Sequence, residues 1–427
     1  MSREISKKLL VLFILAPAIA SVGIVTVIIV INLPEPNQDE SFESKIQSWM
    51  TDGQIPSLGA CIVINESVVW AKGFGDQPDL DTVYMIGSIT KSFTATAILQ
   101  LYEKNLIDLG INIDHYLPFK VRHPNYTTSW VTTEMLLTHT SGLSTNLYWS
   151  LEYYFNNETI TWINENLDLG GDIEIWEDRP TLEQFLNGSL NPGGAYYDDY
   201  NWQSRPGLFY RYSNAGYQLL GYLVEAITNQ TLIDYVQENI LDPLNMSSSG
   251  FYYEDFLNKN AIPYEWMYNF SLPFYGYNFE LPHYNINVTG AGQIRSTIPD
   301  MSKYLIACTN GGEYNGVQIL KSSSINLMQS IRLPLSGSSA EGLDFIGYGY
   351  GWLIYERGYK GHGGATPGFS ANIYFKKTSG GSYGALLMFN RGSALIYDER
   401  LIKTYLPAIN TLLLEEAESL FEQARSS

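Results

Sequence analysis

The sequence predicts an α+β fold in which strands at both ends of the chain enclose a mainly helical middle. Strand-like runs lie near both ends, at 58–64, 68–73, 349–355, 370–375 and 384–389. From about residue 112 to residue 250 the pattern is mainly that of helices and loops. With 427 residues, 45% of them hydrophobic, the chain is long enough to bury a large core.

The first elements of the folded part are a short helix and a hairpin. Residues 42–50 have the pattern of a short helix. The strand-like runs 58–64 and 68–73 are separated by the polar residues 65–67, and this spacing predicts a β-hairpin.

The next predicted helix begins at Ser88 and ends near Asn105. Its apolar residues recur at helical spacing, at Ile89, Phe93, Ala97 and Leu101. Asn105 tolerates the left-handed conformation that ends many helices. One face of this helix is therefore expected to be buried.

Three further helices are predicted in the second half of the chain. The first follows a turn that holds Tyr212 and Asn214, and its apolar side is formed by Leu219, Leu220, Leu223, Val224 and Ile227. The others cover residues 299–308 and 399–424, and the last of them closes the chain.

Charge and cysteine content exclude several classes of function. The chain has 25 Lys and Arg against 44 Asp and Glu, a net charge of −19, and no basic patch that could bind a phosphate backbone. Nucleic acid is therefore not expected as a partner. The two cysteines, Cys61 and Cys308, have no zinc-site spacing, and either two buried thiols or a disulfide fits the sequence.

The amino terminus predicts a membrane anchor. Residues 9–33 are uncharged, follow Arg3, Lys7 and Lys8, and exceed the roughly 20 apolar residues that cross a bilayer. A single-pass protein with its body outside the cytoplasm is expected, and eight N-x-[ST] sequons agree with that side. The alternative is secretion after cleavage of a signal peptide near residues 18–20. The expected domains are a cytoplasmic tip and anchor at 1–33, a linker at 34–41 and one folded domain at 42–427.

Ser88 and Lys91 form the first candidate catalytic pair. Three residues apart on a helix, they lie on one side, so the Lys91 amine can reach the Ser88 hydroxyl. The unpaired N–H groups of a first helical turn would also favour an anionic oxygen there. Because an S-x-x-K is expected about once by chance in a chain of this size, the pair needs other motifs to support it.

Three separated motifs, in this order, resemble those of the serine β-lactamase and penicillin-binding protein superfamily. They are S-x-x-K at Ser88 and Lys91, Y-x-N at Tyr212 and Asn214, and His362-Gly363-Gly364 in place of the usual K-T-G. The runs 136–143 (LLTHTSGL), 212–217 (YSNAGY) and 361–369 (GHGGATPGF) are typical of the class C β-lactamase-related serine hydrolases, and the resemblance covers about residues 42–415.

The resemblance implies a β-lactamase/transpeptidase-like fold and a serine acyl-enzyme mechanism. Strands from both chain ends would form one antiparallel sheet flanked by helices, with a helical subdomain beside the active site. Ser88 would be the nucleophile, Lys91 its base and Tyr212 a proton carrier between half-reactions. Asn214 would orient Lys91 and bind the substrate. The backbone N–H groups of Ser88 and Ala365 would form the oxyanion hole, and Gly363 and Gly364 would leave room for the substrate.

The substrate and cofactor expectations depend on His362. A lysine at this position would be a permanent cation for a β-lactam carboxylate, whereas histidine changes its charge near neutral pH. An ester, amide or peptide substrate is therefore expected, with little β-lactam hydrolysis. No metal or organic cofactor is implied. The alternatives are a catalytically silent binding protein on the same fold, or a true β-lactamase or DD-peptidase.

Four other residues imitate catalytic ones and are interpreted as structural. In the family, the histidine corresponding to His139 lies in a structural turn, and Ser141 is a turn residue. Glu183 imitates the glutamate of class A β-lactamases but precedes Tyr212, the wrong order for that class. Asp300 is interpreted as a helix-start residue.

Overall fold

A computed structural model describes residues 41–145, 147, 154–167, 171–268, 276–338, 343–395 and 398–426. Within these residues the main sheet has eight strands in the order β2-β1-β14-β13-β12-β11-β10-β9, and every neighbouring pair is antiparallel. Its strands are β1 Ser57–Ile64, β2 Ser67–Gly75, β9 Leu333–Ser338, β10 Asp344–Tyr348, β11 Leu353–Tyr355, β12 Tyr359–Thr366, β13 Phe369–Thr378 and β14 Gly381–Phe389.

In the part of the chain that the structure describes, short strands form three smaller sheets in addition to the main one. β3 pairs with β6, β7 pairs with β8, and β15, β4 and β5 form a three-stranded sheet. Their bounds are β3 Tyr84–Met85, β4 Tyr264–Tyr268, β5 Gly276–Glu280, β6 Arg295–Ser296, β7 Glu313–Tyr314, β8 Val317–Gln318 and β15 Arg391–Gly392.

The α-helices of the described residues precede, interrupt and follow the strands. Their bounds are α1 Phe42–Asp52, α2 Thr90–Glu103, α3 Thr133–Leu137, α4 Asn157–Asn166, α5 Leu182–Leu190, α6 Asn214–Thr228, α7 Leu232–Val236, α8 Thr289–Gly292, α9 Ile298–Thr309, α10 Ser322–Met328 and α11 Leu406–Ser426.

The two ends of the chain meet in the middle of the main sheet. Strand β1 pairs with β14 from Leu58 opposite Phe389 to Ile64 opposite Tyr383. Every residue of β1 is buried because both faces of the sheet are covered. Alternate side chains of β1, such as Ile62, pack with α1 and α11, whereas Cys61 packs with the helices on the other face. This arrangement confirms the predicted α+β fold with an antiparallel sheet formed by both chain ends.

The hairpin and helix predictions agree closely with the structure, because their sequence signals are local. The β1–β2 hairpin turns at Asn65, whose φ is +54°. Helix α2 ends at Glu103, and Asn105 has the expected left-handed φ of +56°. Between residues 112 and 250 the described chain forms helices, loops and isolated bridges but no strand.

The strand predictions near the carboxyl end are partly wrong. Residues 349–352 of the predicted strand form a bend, and only Leu353–Tyr355 belong to a strand. Strands β9 and β10 have no counterpart among the strand-like runs of the sequence. Strand β12 is expected only through the resemblance, because its glycines hide the alternation of a strand.

The predicted single-pass membrane location is wrong. Among the residues that the structure describes, no helix is both long and apolar enough to cross a bilayer. The longest of them, α11, carries Glu415, Glu416 and Glu418 and packs one apolar side on the sheet. Residues 9–33, on which the prediction was based, lie outside the described residues, as does the linker up to residue 40. The domain boundaries at 33/34 and 41/42 stay predictions.

The two cysteines are free and buried on the same side of the main sheet. Burial raises the pKa of each thiol, Cys61 and Cys308, to about 12. Of the two alternatives left open by the sequence, the structure has the free thiols.

Candidate active site

Ser88 lies in a tight turn immediately before α2. Residues Gly87–Ile89 form one 3-10 turn, and the α-helix proper begins at Thr90 rather than at Ser88. Gly87 has a φ of +51°. Because a residue with a side chain would be strained in this conformation, the turn needs glycine. From Thr82 to Leu101 every residue is buried except Ser88. The turn therefore presents the Ser88 hydroxyl to solvent from a rigid, buried support.

Lys91 lies behind Ser88 and is fully buried. Its Nζ is 3.0 Å from Oγ of Ser88 and 2.8 Å from the carbonyl oxygen of Ala291 in α8. Within the described part of the chain no carboxylate forms an ion pair with it. Burial without a counter-ion holds the pKa of the Lys91 amine well below its usual value of 10.5. The amine next to Ser88 is thus much more readily neutral than a lysine in water.

Tyr212 and Asn214 lie at the entrance of α6, as the sequence predicts. Ser213 between them caps the helix: its Oγ accepts from the N–H of Gly216 and donates to the carbonyl oxygen of Ser144. The Nζ of Lys91 lies 4.9 Å from the centre of the Tyr212 ring. The cap fixes the backbone on both sides of Ser213 and so positions the Tyr212 ring against Lys91.

Strand β12 lies against the turn that carries Ser88. Its neighbour β11 pairs with it only at Lys360 and Gly361, so residues 362–366 have no strand partner on that side. A Cβ on Gly364 would lie 1.9 Å from the carbonyl oxygen of Ile86 and 3.2 Å from the backbone nitrogen of Ser88. A Cβ on Gly87 would lie 2.6 Å from the backbone nitrogen of Ala365. Only glycines at these two positions let the two backbones come this close.

His362 is buried in β12 beside the Tyr212 ring, with 6.3 Å between ring centres. Its Nδ1 lies 2.5 Å from the carbonyl oxygen of Gly363, and its Nε2 lies 3.4 Å from Oη of Tyr348. Burial, and then the charge of Lys91, lower the pKa of His362 to about 4. At neutral pH this histidine is therefore uncharged.

His139 lies on the other side of Tyr348. Its backbone has a φ of +58°, and its ring centre is 4.4 Å from that of Tyr212. Nδ1 of His139 accepts from the N–H of Ser213 at 3.0 Å, and Nε2 lies 3.0 Å from Oη of Tyr348. Burial, followed by the charges of Lys91 and His362, holds the pKa of His139 well below its usual value. This residue is in a turn, as predicted, and it also supports the segment of Tyr212.

The predicted site residues therefore lie at one place in the fold. Ser88, Lys91, Tyr212 and His362 form one cluster of side chains, and the backbone at Gly364 and Ala365 borders it. Asn214 begins the helix beside the cluster. Their catalytic roles stay predictions.

Sequence reasoning missed two members of the cluster, the Ala291 carbonyl and Tyr348. Gly290 and Gly292 flank Ala291, and a Cβ on Gly290 would lie 2.4 Å from the carbonyl oxygen of Tyr217, so this glycine pair was the available signal for close packing. For Tyr348, one of 32 tyrosines, the sequence holds no comparable signal.

The residues interpreted as structural have structural partners. The Ser141 Oγ accepts from the N–H of Leu143. Glu183, on α5, accepts from the hydroxyl of Tyr222. Asp300 lies in the first turn of α9 and accepts from the N–H of Ser248. In the described chain no group of three or more His, Cys, Asp or Glu residues is arranged to hold a metal ion.

The beta-lactamase family model matches residues 42–402, most of the chain. The chain belongs to the beta-lactamase family. The match covers all three motifs, from Ser88 to Gly364, and the resemblance to the serine β-lactamase and penicillin-binding protein superfamily is confirmed.

Two curated relatives show how far the similarity extends. Protein flp of Staphylococcus aureus is 26% identical over 238 residues, which are 54% of this chain and 42% of that protein. Penicillin-binding protein 4* of Bacillus subtilis is 25% identical over 329 residues, 73% of this chain and 62% of that protein. The chain therefore spans less than two thirds of the length of these curated relatives.

Solved structures agree with the fold. The octameric penicillin-binding protein homologue from Pyrococcus abyssi superposes with a TM-score of 0.67 at 26% identity, over 88% of this chain and 77% of that one. D-amino acid amidase from Ochrobactrum anthropi, in complex with D-phenylalanine, has a TM-score of 0.65 at 19% identity, over 90% of this chain and 100% of that one. The second likeness is one of fold.

Proposed function

We propose that the protein is a serine hydrolase that cleaves an ester, amide or peptide bond through an acyl-enzyme on Ser88. The observation that supports this most directly is the Lys91 amine, fully buried and 3.0 Å from the Ser88 hydroxyl. A neutral amine has a lone pair that can accept the hydroxyl proton, and burial favours that neutral form.

Acylation moves one proton and one electron pair. The Ser88 oxygen attacks the substrate carbonyl carbon while its proton passes to Nζ of Lys91, and the carbonyl electrons move onto the oxygen. When the tetrahedral intermediate collapses, the leaving group takes a proton from the site, and an ester to Ser88 remains. Throughout, the Ala291 carbonyl accepts one N–H of Lys91 at 2.8 Å and so keeps the amine pointed at Ser88.

The oxyanion is assigned to the backbone N–H groups of Ser88 and Ala365. The close approach of Gly364 to the Ser88 turn supports this assignment, because it leaves the two backbones within van der Waals contact. Donors fixed before the reaction stabilise the developing charge without reorganising. Asn214, at the first position of α6, is assigned to orient the substrate amide beside Lys91.

Deacylation requires a water molecule and a second proton transfer, which we assign to Tyr212. Its ring lies against Lys91, which places a phenol beside the amine, and we assign to its hydroxyl the proton transfers between the amine and the water. The water adds to the acyl carbon, Ser88 leaves with a proton, and the carboxylic acid product is released.

We expect the preferred substrate to have no carboxylate that must bind next to His362. With a pKa of about 4, this histidine is neutral at pH 7 and offers no cation for the carboxylate of a β-lactam. We therefore favour esters, amides or peptides over β-lactams.

Labelling with a fluorophosphonate probe tests the proposal. The full chain is incubated with the probe and with a p-nitrophenyl acyl ester, and intact mass and product release are measured. One adduct on Ser88, absent in Ser88→Ala and present in the matched variant Ser141→Ala, is expected together with ester turnover. No adduct on folded protein would contradict the proposal and favour a silent binding protein on the same fold.

A further inference from the structure

Tyr348 links the two histidines of the active site. Its side chain is fully buried at the end of β10, and its hydroxyl lies between two imidazoles that come from different parts of the chain. One distance is 3.0 Å, to Nε2 of His139, and the other is 3.4 Å, to Nε2 of His362. The proposed chemistry assigns no role to this tyrosine.

The outer contacts determine where each imidazole carries its proton. Nδ1 of His139 faces the N–H of Ser213, which can only donate, so this nitrogen is bare and the proton is on Nε2. Nδ1 of His362 faces the carbonyl oxygen of Gly363, which can only accept, so this nitrogen carries the proton and Nε2 is bare. The two histidines are therefore opposite tautomers.

Tyr348 matches both tautomers at once. The Nε2–H of His139 donates to its oxygen, and its own O–H can donate to the bare Nε2 of His362. The hydrogen-bonded chain is then directed along its whole length, from the N–H of Ser213 to the carbonyl of Gly363. The Tyr348 hydroxyl also interacts with the hydroxyl of Tyr217, which itself donates to the carbonyl oxygen of Leu137. A phenylalanine would remove the bonds to both histidines and leave the ring in place.

Both ends of this series of hydrogen bonds lie at residues next to the proposed catalytic groups. Ser213 stands between Tyr212 and Asn214, and Gly363 precedes Gly364 and Ala365 on the strand that faces Ser88. We infer that Tyr348 is a positioning residue: its hydroxyl bonds the inner nitrogen of each histidine, in the tautomers that the outer contacts set, and so joins the segment of Tyr212 to the strand of Ala365. This inference rests on the proposed function for its catalytic consequence but not for the hydrogen-bonded chain itself.

The variant Tyr348→Phe tests the inference, with Tyr210→Phe as the matched control. Tyr210 belongs to the same aromatic cluster, 6.0 Å from Tyr348 and 5.8 Å from His139 between ring centres, but its hydroxyl is not part of the chain. The other titratable groups around the two imidazoles are those of Lys91, Tyr212 and Tyr217.

Histidine side-chain nitrogen NMR on the full chain reads the tautomers directly. The protein has 5 histidines, and His139→Gln and His362→Gln variants assign the two signals. We expect Nε2–H for His139 and Nδ1–H for His362 in the unaltered protein, because the outer contacts set them. In Tyr348→Phe the Nε2 signals of both rings should shift because their hydrogen-bond partner is lost, whereas in Tyr210→Phe they should not change; unshifted Nε2 signals in Tyr348→Phe would overturn the inference. The same tautomer at both histidines in the unaltered protein would overturn the inference, even if Tyr348→Phe failed to fold.

Kinetics test the catalytic consequence separately. Since the substitution removes two hydrogen bonds that act through other residues, we expect kcat to fall about tenfold, or ~1.4 kcal/mol, with KM unchanged. Tyr210→Phe is expected to stay within about twofold. Unaltered kcat in Tyr348→Phe would overturn the positioning role. If the unaltered protein proved to have no hydrolase activity, the proposed function would fail. The NMR result would still decide whether the hydrogen bonds from Ser213 through Tyr348 to Gly363 exist.

Discussion

Replacing His362 by asparagine should reduce the amount by which the free energy of unfolding decreases in acid. The His362 pKa falls from an ordinary 6.5 to about 4 in the folded protein, mainly because the ring is buried and secondly because Lys91 is nearby. Between those two pH values the unfolded chain binds a proton at His362 that the folded protein does not. The contribution of His362 to the free energy of unfolding is therefore fully present above pH 6.5 and is lost as the pH falls toward 4.

The size of the effect follows from the two pKa values. A difference of about 2.5 pKa units, from 6.5 to about 4, corresponds to about 3 kcal/mol. Asparagine has no proton to bind in this range, and its side-chain N–H can still donate to the Gly363 carbonyl. Its free energy of unfolding is therefore expected to fall by about 3 kcal/mol less than that of the unaltered protein between pH 7 and pH 4.

Urea unfolding of the full chain, followed by tryptophan fluorescence at a series of pH values, measures this difference. The comparison uses the slope with pH, so a constant loss from removing the bond to Tyr348 does not affect it. His115→Asn, which replaces an exposed histidine, is the matched control and should follow the unaltered protein. Parallel curves for His362→Asn and the unaltered protein would refute the assignment of a buried, neutral His362.

Three further substitutions test the proposed roles in catalysis. Lys91→Met keeps the buried methylenes but removes the base, so fluorophosphonate labelling of Ser88 should slow by about 10²–10⁴-fold. The control Lys104→Met, at the exposed end of the same helix, should be labelled at the normal rate. Tyr212→Phe should slow both the burst and the steady-state release of p-nitrophenol by at least about 10²-fold, and an unchanged steady state would remove Tyr212 from deacylation. Gly364→Ala places a Cβ 1.9 Å from a backbone oxygen and must displace β12, so the rate of labelling should fall about 10²-fold. The control is Gly110→Ala, where the atom nearest to the added Cβ is 3.5 Å away. Equal labelling rates in the two variants would refute the close approach of the two backbones.

The elements predicted correctly are those whose signal lies within a few residues. Asn65 and Asn105, both left-handed, mark the end of a strand and of a helix, and the spacing of Ile89, Phe93 and Ala97 predicts the helix between them. The expectation of a single buried face is wrong, because α2 is buried on all sides from Thr90 to Leu101. In β12 the glycines replace the alternating side chains that would identify a strand. The strand exists because β13 pairs with it along its whole length, and a partner distant in sequence has no local signal.

The candidate site divides in the same way. Ser88 and Lys91 were found from their spacing, since three residues on a helix fix their relative position. The carbonyl of Ala291 comes from 200 residues further along the chain, and Tyr348 from 209 residues after His139. Backbone groups carry no identity in the sequence, so the acceptor that orients Lys91 could be recognised only once the fold was known.

Under the proposed mechanism, the distribution of charge in the site would favour the transition state over the resting state. Burial lowers the pKa values of Lys91, His139 and His362, and a charge on Lys91 lowers those of both histidines, so the site disfavours positive charge before reaction. In the proposed mechanism, attack by Ser88 would then create a positive charge on Lys91 and a negative charge on the substrate oxygen at the same moment. The ring of Tyr212, 4.9 Å from Nζ, attracts the amine strongly only when it is charged. An interaction that strengthens as the charge forms lowers the barrier without tightening substrate binding, so removing this ring should reduce kcat more than it changes KM.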